Sequence, residues 1–168
     1  VTAYLSNVNG GLDLNTSNDS IKSTTFGYVP ATGKKVLVEE GTGTWCVWCP
    51  RGAVFMDKLS AVYKGLFIPI AVHNGSTDPM LVPEYNTFMA FPAFPNSKVN
   101  RGYLGDPSGL EDPFLTEIAK PATAQFLVGS KYTESTKTLD VSVEVDFLDA
   151  ATGSHFVSLV LVEDDVRG

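Results

Sequence analysis

Val36-Leu37-Val38-Glu39-Glu40-Gly41-Thr42-Gly43-Thr44-Trp45-Cys46-Val47-Trp48-Cys49-Pro50 is the stretch that decides the fold. It divides into three parts. Lys35 to Glu40 reads as a short buried strand bounded by Gly33 and Gly41. Gly41-Thr42-Gly43-Thr44 reads as a loop. A helix is then expected from Cys46 to about Lys64. Its apolar positions Val54, Phe55, Leu59, Val62 and Tyr63 recur close to the helical period. Pro50 lies in the first turn, where a missing N–H costs nothing because no intrahelical acceptor exists there. Gly65 is placed to end the helix.

Working outward, Leu66 to Val72 reads as the next buried strand, with Pro69 marking an edge or a bulge. Asn74 to Met80 is a loop, and Pro83 to Met89 has room for one or two helical turns. A strand is expected over Ser97 to Tyr103. A short helix is expected over Asp112 to Lys120, with Asp112 as N-cap and Pro113 at the first helical position. After Pro121 the pattern changes. Leu139, Val141, Val143, Val145 and Phe147 alternate with polar residues, as in a half-buried antiparallel strand over Thr138 to Phe147. Ala124 to Val128 and the run His155 to Val162 complete three strands with no helix between them. The order β-α-β, then strands alone, predicts an α/β unit followed by an all-β, sandwich-like segment. The expected division is an N-terminal extension over 1–33 with weak strand signals (Tyr4-Leu5, Ile21 to Val29), an α/β domain over 34–120, and a β-rich segment over 121–168. Either the β-rich segment is truncated, or its last strand closes onto the main domain.

Composition removes several function classes. Twelve Lys and Arg face 19 Asp and Glu, a net charge of −7 over 168 residues, which argues against a phosphate-backbone binder. Apolar residues make up 43%, too many for a disordered chain. No window of about 18 apolar residues occurs, so no membrane-spanning helix is expected. Val1 to Gly10 lacks the pattern of a signal peptide, so either the protein is cytosolic or such a peptide has been removed. Two cysteines are too few for a disulfide scaffold.

Those two, Cys46 and Cys49, are the strongest functional signal. The species that attacks a disulfide is a thiolate, and the start of a helix favours that negative charge. Cys46 is expected at that terminus and near the surface as the attacking residue. Cys49, one turn on, would displace the mixed disulfide formed at Cys46. Three other readings compete: a structural disulfide, a pair of buried free thiols, and half of a zinc site. The zinc reading needs two more ligands, and only His73 and His155 are available, without ligand-like spacing. Haem attachment needs His after the second cysteine, where Pro50 stands.

The strand, loop and Cys-x-x-Cys-Pro sequence resembles the thioredoxin-like superfamily. Glu39-Glu40-Gly41-Thr42-Gly43-Thr44-Trp45-Cys46-Val47-Trp48-Cys49-Pro50-Arg51-Gly52 resembles most closely the outer membrane protein 28-related group of bacterial thioredoxin-like proteins. That group has Phe where this chain has Gly41. The resemblance covers about residues 34–120 and implies a mixed central sheet flanked by helices. A β-rich region follows in that group, which suits residues 121–168. The resemblance implies a buried acid six positions before the attacking cysteine. Strand alternation puts Glu39 and Glu40 on opposite faces, and Glu40 is the expected inward acid, with a pKa raised by desolvation and a role in taking the proton of Cys49. It also implies a cis-proline facing the cysteines, assigned to Pro95 with Pro92 as the alternative. Trp45, Trp48 and Phe94 are the expected substrate-binding surface.

The expected activity is thiol–disulfide exchange on protein or peptide disulfides, with no bound cofactor, because the dithiol itself carries two electrons. The expected location is the periplasm or the outer-membrane or cell surface of a Gram-negative bacterium. The alternative is a non-catalytic surface or outer-membrane-associated binding module on the same scaffold. Four features carry other readings. Arg51 either favours the thiolate or sits on a solvated helix face. His73 is a strand-end hydrogen-bonding residue. Glu163-Asp164-Asp165 is a solvated turn or a calcium cluster. Asn15, Asn18 and Asn74 begin glycosylation sequons.

Overall fold

The computed structural model describes residues 2–4, 11, 15, 17, 20–22, 27–164 and 166. Among these the fold is mixed α/β, with a four-stranded mixed sheet and two separate two-stranded sheets. Strands β1 (Thr2–Tyr4) and β2 (Ser20–Lys22) form one antiparallel pair. They coincide with parts of the two weak strand signals. Leu5 and residues 23–26 lie outside the described residues.

The main sheet contains β3 (Val36–Thr42), β4 (Phe67–His73), β5 (Asn96–Val99) and β6 (Tyr103–Gly105), in the order β4-β3-β5-β6. β3 pairs parallel with β4 and antiparallel with β5. The parallel pair requires a crossover, and helix α1 (Cys49–Val62) supplies it. β4 is an edge strand, which accommodates Pro69 without loss of a ladder bond on its outer side.

β3 is covered on both faces. On one side Val36 and Val38 join Met56, Leu59, Phe67, Val99 and Phe114 in the larger core. Helix α3 (Glu111–Ile118) contributes Phe114, whose ring packs on Tyr63 and Phe67 at centroid distances of 4.7 and 5.3 Å. On the other side Leu37 packs with Ile70, Val72, Met89 and Phe91. Helix α2 (Pro83–Met89) covers that side.

Several boundaries differ from expectation, each for a physical reason. α1 starts at Cys49 and not at Cys46. A helix begun at Cys46 would need the N–H of Pro50 for the Cys46 carbonyl. Proline has none, and that carbonyl instead accepts the Cys49 N–H at 3.2 Å. The buried face of α1 is Cys49, Gly52, Met56 and Leu59, whereas Val54 and Val62 are exposed. Apolarity alone undervalued Gly52, which is buried because it is small. The strand expected over Ser97 to Tyr103 is interrupted by a turn. Asn100 and Arg101 both have positive φ, the geometry of a tight hairpin turn between β5 and β6. α3 is capped by Leu110, so Asp112 and Pro113 lie inside its first turn.

The C-terminal expectation is corrected most. β7 (Ala124–Thr133) and β8 (Thr138–Phe147), ten residues each, form a hairpin. The run His155 to Val162 forms no strand and stays largely exposed. Among the described residues no second layer covers the alternating face of β8: Val141 and Val145 are half-buried, but Leu139 and Phe147 keep more than a third of their surface in solvent. No helix among the described residues is long and apolar enough to cross a membrane.

Candidate functional site

Cys46 and Cys49 form a disulfide with Cα atoms 5.3 Å apart. The loop after β3 presents Cys46, whose N–H donates to the Gly43 carbonyl at 3.0 Å. Cys49 is the first residue of α1. Cys46 is buried and not near-surface as expected; 7% of it is accessible, against 3% for Cys49. The residues flanking the pair are open. Trp45 is half exposed, and Val47 and Trp48 are mostly exposed. Trp45 packs edge-on against Phe94, and its indole N–H donates to the Asn74 carbonyl.

Both adjacent glutamates are buried, although alternation singled out one. Each face of β3 is covered, so each inherits a carboxyl group. Glu39 is satisfied. It accepts from Arg101 Nε at 3.0 Å and from a terminal guanidinium nitrogen at 2.8 Å, and from the Tyr85 hydroxyl. Glu40 is not satisfied. Its Oε1 is buried without a hydrogen-bond partner. Burial pushes its pKa up to about 7, with a further rise from the negative charge of Asp57.

The position of Glu40 relative to the cysteines follows from Gly52. Gly52 is three residues after Cys49 on the same buried face of α1. A Cβ built on Gly52 would lie 1.7 Å from Glu40 Oε1 and 3.0 Å from Pro95 Cβ. Helix α1, the acid and Pro95 therefore meet at that glycine. The Phe94–Pro95 peptide bond is cis, and Pro95 immediately precedes β5. Pro92 carries no cis bond among the described residues. Gly41 has its own close neighbour: a Cβ there would sit 2.5 Å from the Phe91 ring. Phe91 thus fills the space beside the strand end.

The loop ahead of Cys46 is held by a group that sequence reading missed. Asp78 is buried and accepts the Thr44 N–H at 2.7 Å, the Met80 N–H at 2.9 Å and a bond from His73 Nδ1 at 3.0 Å. Burial would raise its pKa, but the bonds from Thr44, His73 and Met80 outweigh that and hold it below the usual carboxylate range. His73 therefore sits at a strand end with a partner. His155 packs on the Phe147 ring at 4.9 Å. Arg51 is exposed and forms a two-pronged pair with Asp106, so its charge is already engaged. Glu163 and Asp164 are exposed, and Asp165 lies outside the described residues. Among the described residues no group of three or more His, Cys, Asp and Glu side chains is arranged to hold a metal ion.

A dithiol at a helix start, flanked by exposed aromatics and backed by a buried carboxyl group, fits a thioredoxin-like Cys-x-x-Cys arrangement. No protein-family model matches the chain, and no curated protein matches it. Among solved structures it is similar to HBP35 of Porphyromonas gingivalis, with 24% identity over 58% of this chain and 37% of that one, at a TM-score of 0.45. It is also similar to a structural-genomics protein from Agrobacterium tumefaciens, with 17% identity over 67% of this chain and 56% of that one, at a TM-score of 0.47. The chain spans less than two thirds of either structure.

Proposed function

We propose that this chain is a thioredoxin-like thiol–disulfide exchange domain acting on protein or peptide disulfides. The observation that carries the reading is the Cys46–Cys49 disulfide at the start of α1, with the partnerless Glu40 carboxyl buried under the same helix face. In this reading the Cys46 thiolate attacks a partner disulfide and forms a mixed disulfide. Glu40 takes the proton of Cys49, whose thiolate then attacks Cys46 Sγ and releases the partner. Trp45, Trp48 and Phe94 supply the apolar surface on which the partner lies, and Pro95 shapes its edge. The location proposed is the periplasm, or the outer-membrane or cell surface, of a Gram-negative bacterium. Kinship with the outer membrane protein 28-related group rests on the loop residues alone.

Replacing Cys46 with Ser is expected to abolish disulfide exchange, and Cys49→Ser is expected to accumulate mixed disulfides with partner peptides. Equal exchange rates in the Cys46→Ser and parent proteins would refute the reading.

One observation favours a non-catalytic module instead: both cysteines are more than nine-tenths buried. A reduction-potential titration separates the two. Exchange proteins lie at roughly −120 to −270 mV, whereas a permanent structural bond lies below about −300 mV.

A further inference from the structure

Glu40 lies between two polar neighbours that the reaction above does not use. The first is on the adjacent strand. Ser97 of β5 stands opposite Glu40 in the antiparallel register, so both side chains lie on the same face of the sheet. Ser97 is completely buried, and its hydroxyl has no hydrogen-bond partner. Glu40 Oε1 and Ser97 Oγ are the two buried side-chain atoms without a partner among the described residues. Buried polar atoms are rarely left unsatisfied, and here two belong to paired residues on one face of adjacent strands.

The second neighbour lies toward solvent. A cavity of about 610 Å³ opens beside the edge strand β4 and reaches Glu40 from outside. Asp57, an exposed residue of α1, stands on its wall. His73, Tyr85, Glu163 and Asp164 are the other titratable groups lining it, and no lysine or arginine does. The mouth is therefore electronegative, and His73 is already engaged by Asp78.

We propose that Asp57 and Ser97 are positioning residues for proton transfer at Glu40. The charge of Asp57 favours the protonated carboxyl, so Glu40 keeps the proton until water in the cavity takes it, and Ser97 donates a hydrogen bond to the carboxylate left behind. The proposal rests on the exchange reading. The Cys49 S–H bond breaks and an O–H bond forms on Glu40. The freed sulfur pair attacks Cys46 Sγ, the bond to the partner sulfur breaks, and that sulfur leaves with the electron pair and takes a proton from water. Glu40 then loses its proton to water in the cavity, past Asp57. The dithiol is oxidised and the partner disulfide reduced.

The two neighbours act on Glu40 with opposite sign. A nearby negative charge disfavours the carboxylate, whereas a hydroxyl donor favours it. The test is an NMR titration of the Glu40 side-chain carboxyl carbon in the oxidised protein, which needs no exchange activity. Asp57→Asn is expected to lower the midpoint by about half a pH unit. Ser97→Ala is expected to raise it. Both are mild changes, one exposed and one isosteric apart from the hydroxyl. The same opposite shifts are expected in the pH profile of thiol release from a mixed disulfide on Cys46. Opposite shifts support the proposal, because general loosening of the site would move both variants the same way. An unmoved midpoint in either variant overturns it. Loss of exchange reading by the Cys46→Ser test, with these shifts intact, would remove the catalytic role alone.

Discussion

Glu40 Oε1 occupies the space that any side chain at position 52 would need. The carboxyl group can swing toward the cavity beside β4, but Pro95 Cβ, 3.0 Å from the same point, belongs to a rigid ring and cannot follow. Gly52→Ala is therefore expected to destabilise the protein by about 2 kcal/mol through overpacking, despite the better helix propensity of alanine. Urea unfolding measures this. Stability equal to or above the parent would show that Pro95 gives way as well as the acid.

The raised pKa of Glu40 has a defined effect on stability. Below its ordinary value of 4.5 the group is protonated in both folded and unfolded chains and contributes no pH dependence. Between 4.5 and about 7 the unfolded chain ionises first, so stability falls as pH rises, and it levels off above. The total loss from this group is about 3 kcal/mol. Glu40→Gln is expected to abolish that decline, so the variant gains on the parent between pH 5 and pH 8. Denaturant midpoints at the two pH values measure it, and parallel curves would contradict it.

Glu39, one residue earlier, has the hydrogen-bond partners that Glu40 lacks. Arg101→Met leaves its buried carboxyl group with the Tyr85 hydroxyl alone. The expected cost is about 2 kcal/mol, less than for a fully enclosed pair because Arg101 is a third exposed. Adding Glu39→Gln to Arg101→Met should recover part of that loss. A double-mutant cycle by thermal unfolding gives the coupling, and a value near zero would mean that the pair is ornamental to stability.

Asp78→Ala removes the acceptor of four donors at once, the Thr44 N–H and hydroxyl, His73 Nδ1 and the Met80 N–H, at an expected cost of about 3 kcal/mol. It also frees the Thr44 N–H two residues before Cys46. Reduced Cys46 should then alkylate faster than in the parent. Unchanged alkylation would mean that the loop keeps its shape without Asp78.

Much of this arrangement was legible in local sequence, and the rest was not for a common reason. The strand ahead of the cysteines, the helix behind them and the opposed directions of Glu39 and Glu40 follow from period, glycine and proline positions. The groups that satisfy or perturb those carboxyls come from afar: Arg101 lies 62 residues from Glu39, Tyr85 lies 46 away, and Asp78 lies 34 from Thr44. Spacing carries no trace of such pairings. Ser97 was readable only as a strand residue until the register of β5 against β3 was known. The run His155 to Val162 shows the reverse failure. Its apolar pattern is real, but a strand exists only where a second strand accepts its backbone bonds, and pattern alone does not supply one.

The neighbouring glutamates of β3 also act as a key for alignment. Val36-Leu37-Val38 is apolar at every step and buried or half-buried on both faces, so those residues would tolerate sliding by one position. The glutamates would not. A slip one way would put Val38 at the site of Glu39, leaving the Arg101 guanidinium without a carboxylate, and a slip the other way would put Glu39 at the site of Val38, inside the apolar core. Two consecutive acids with unlike surroundings thus forbid the misalignment that their apolar neighbours would permit.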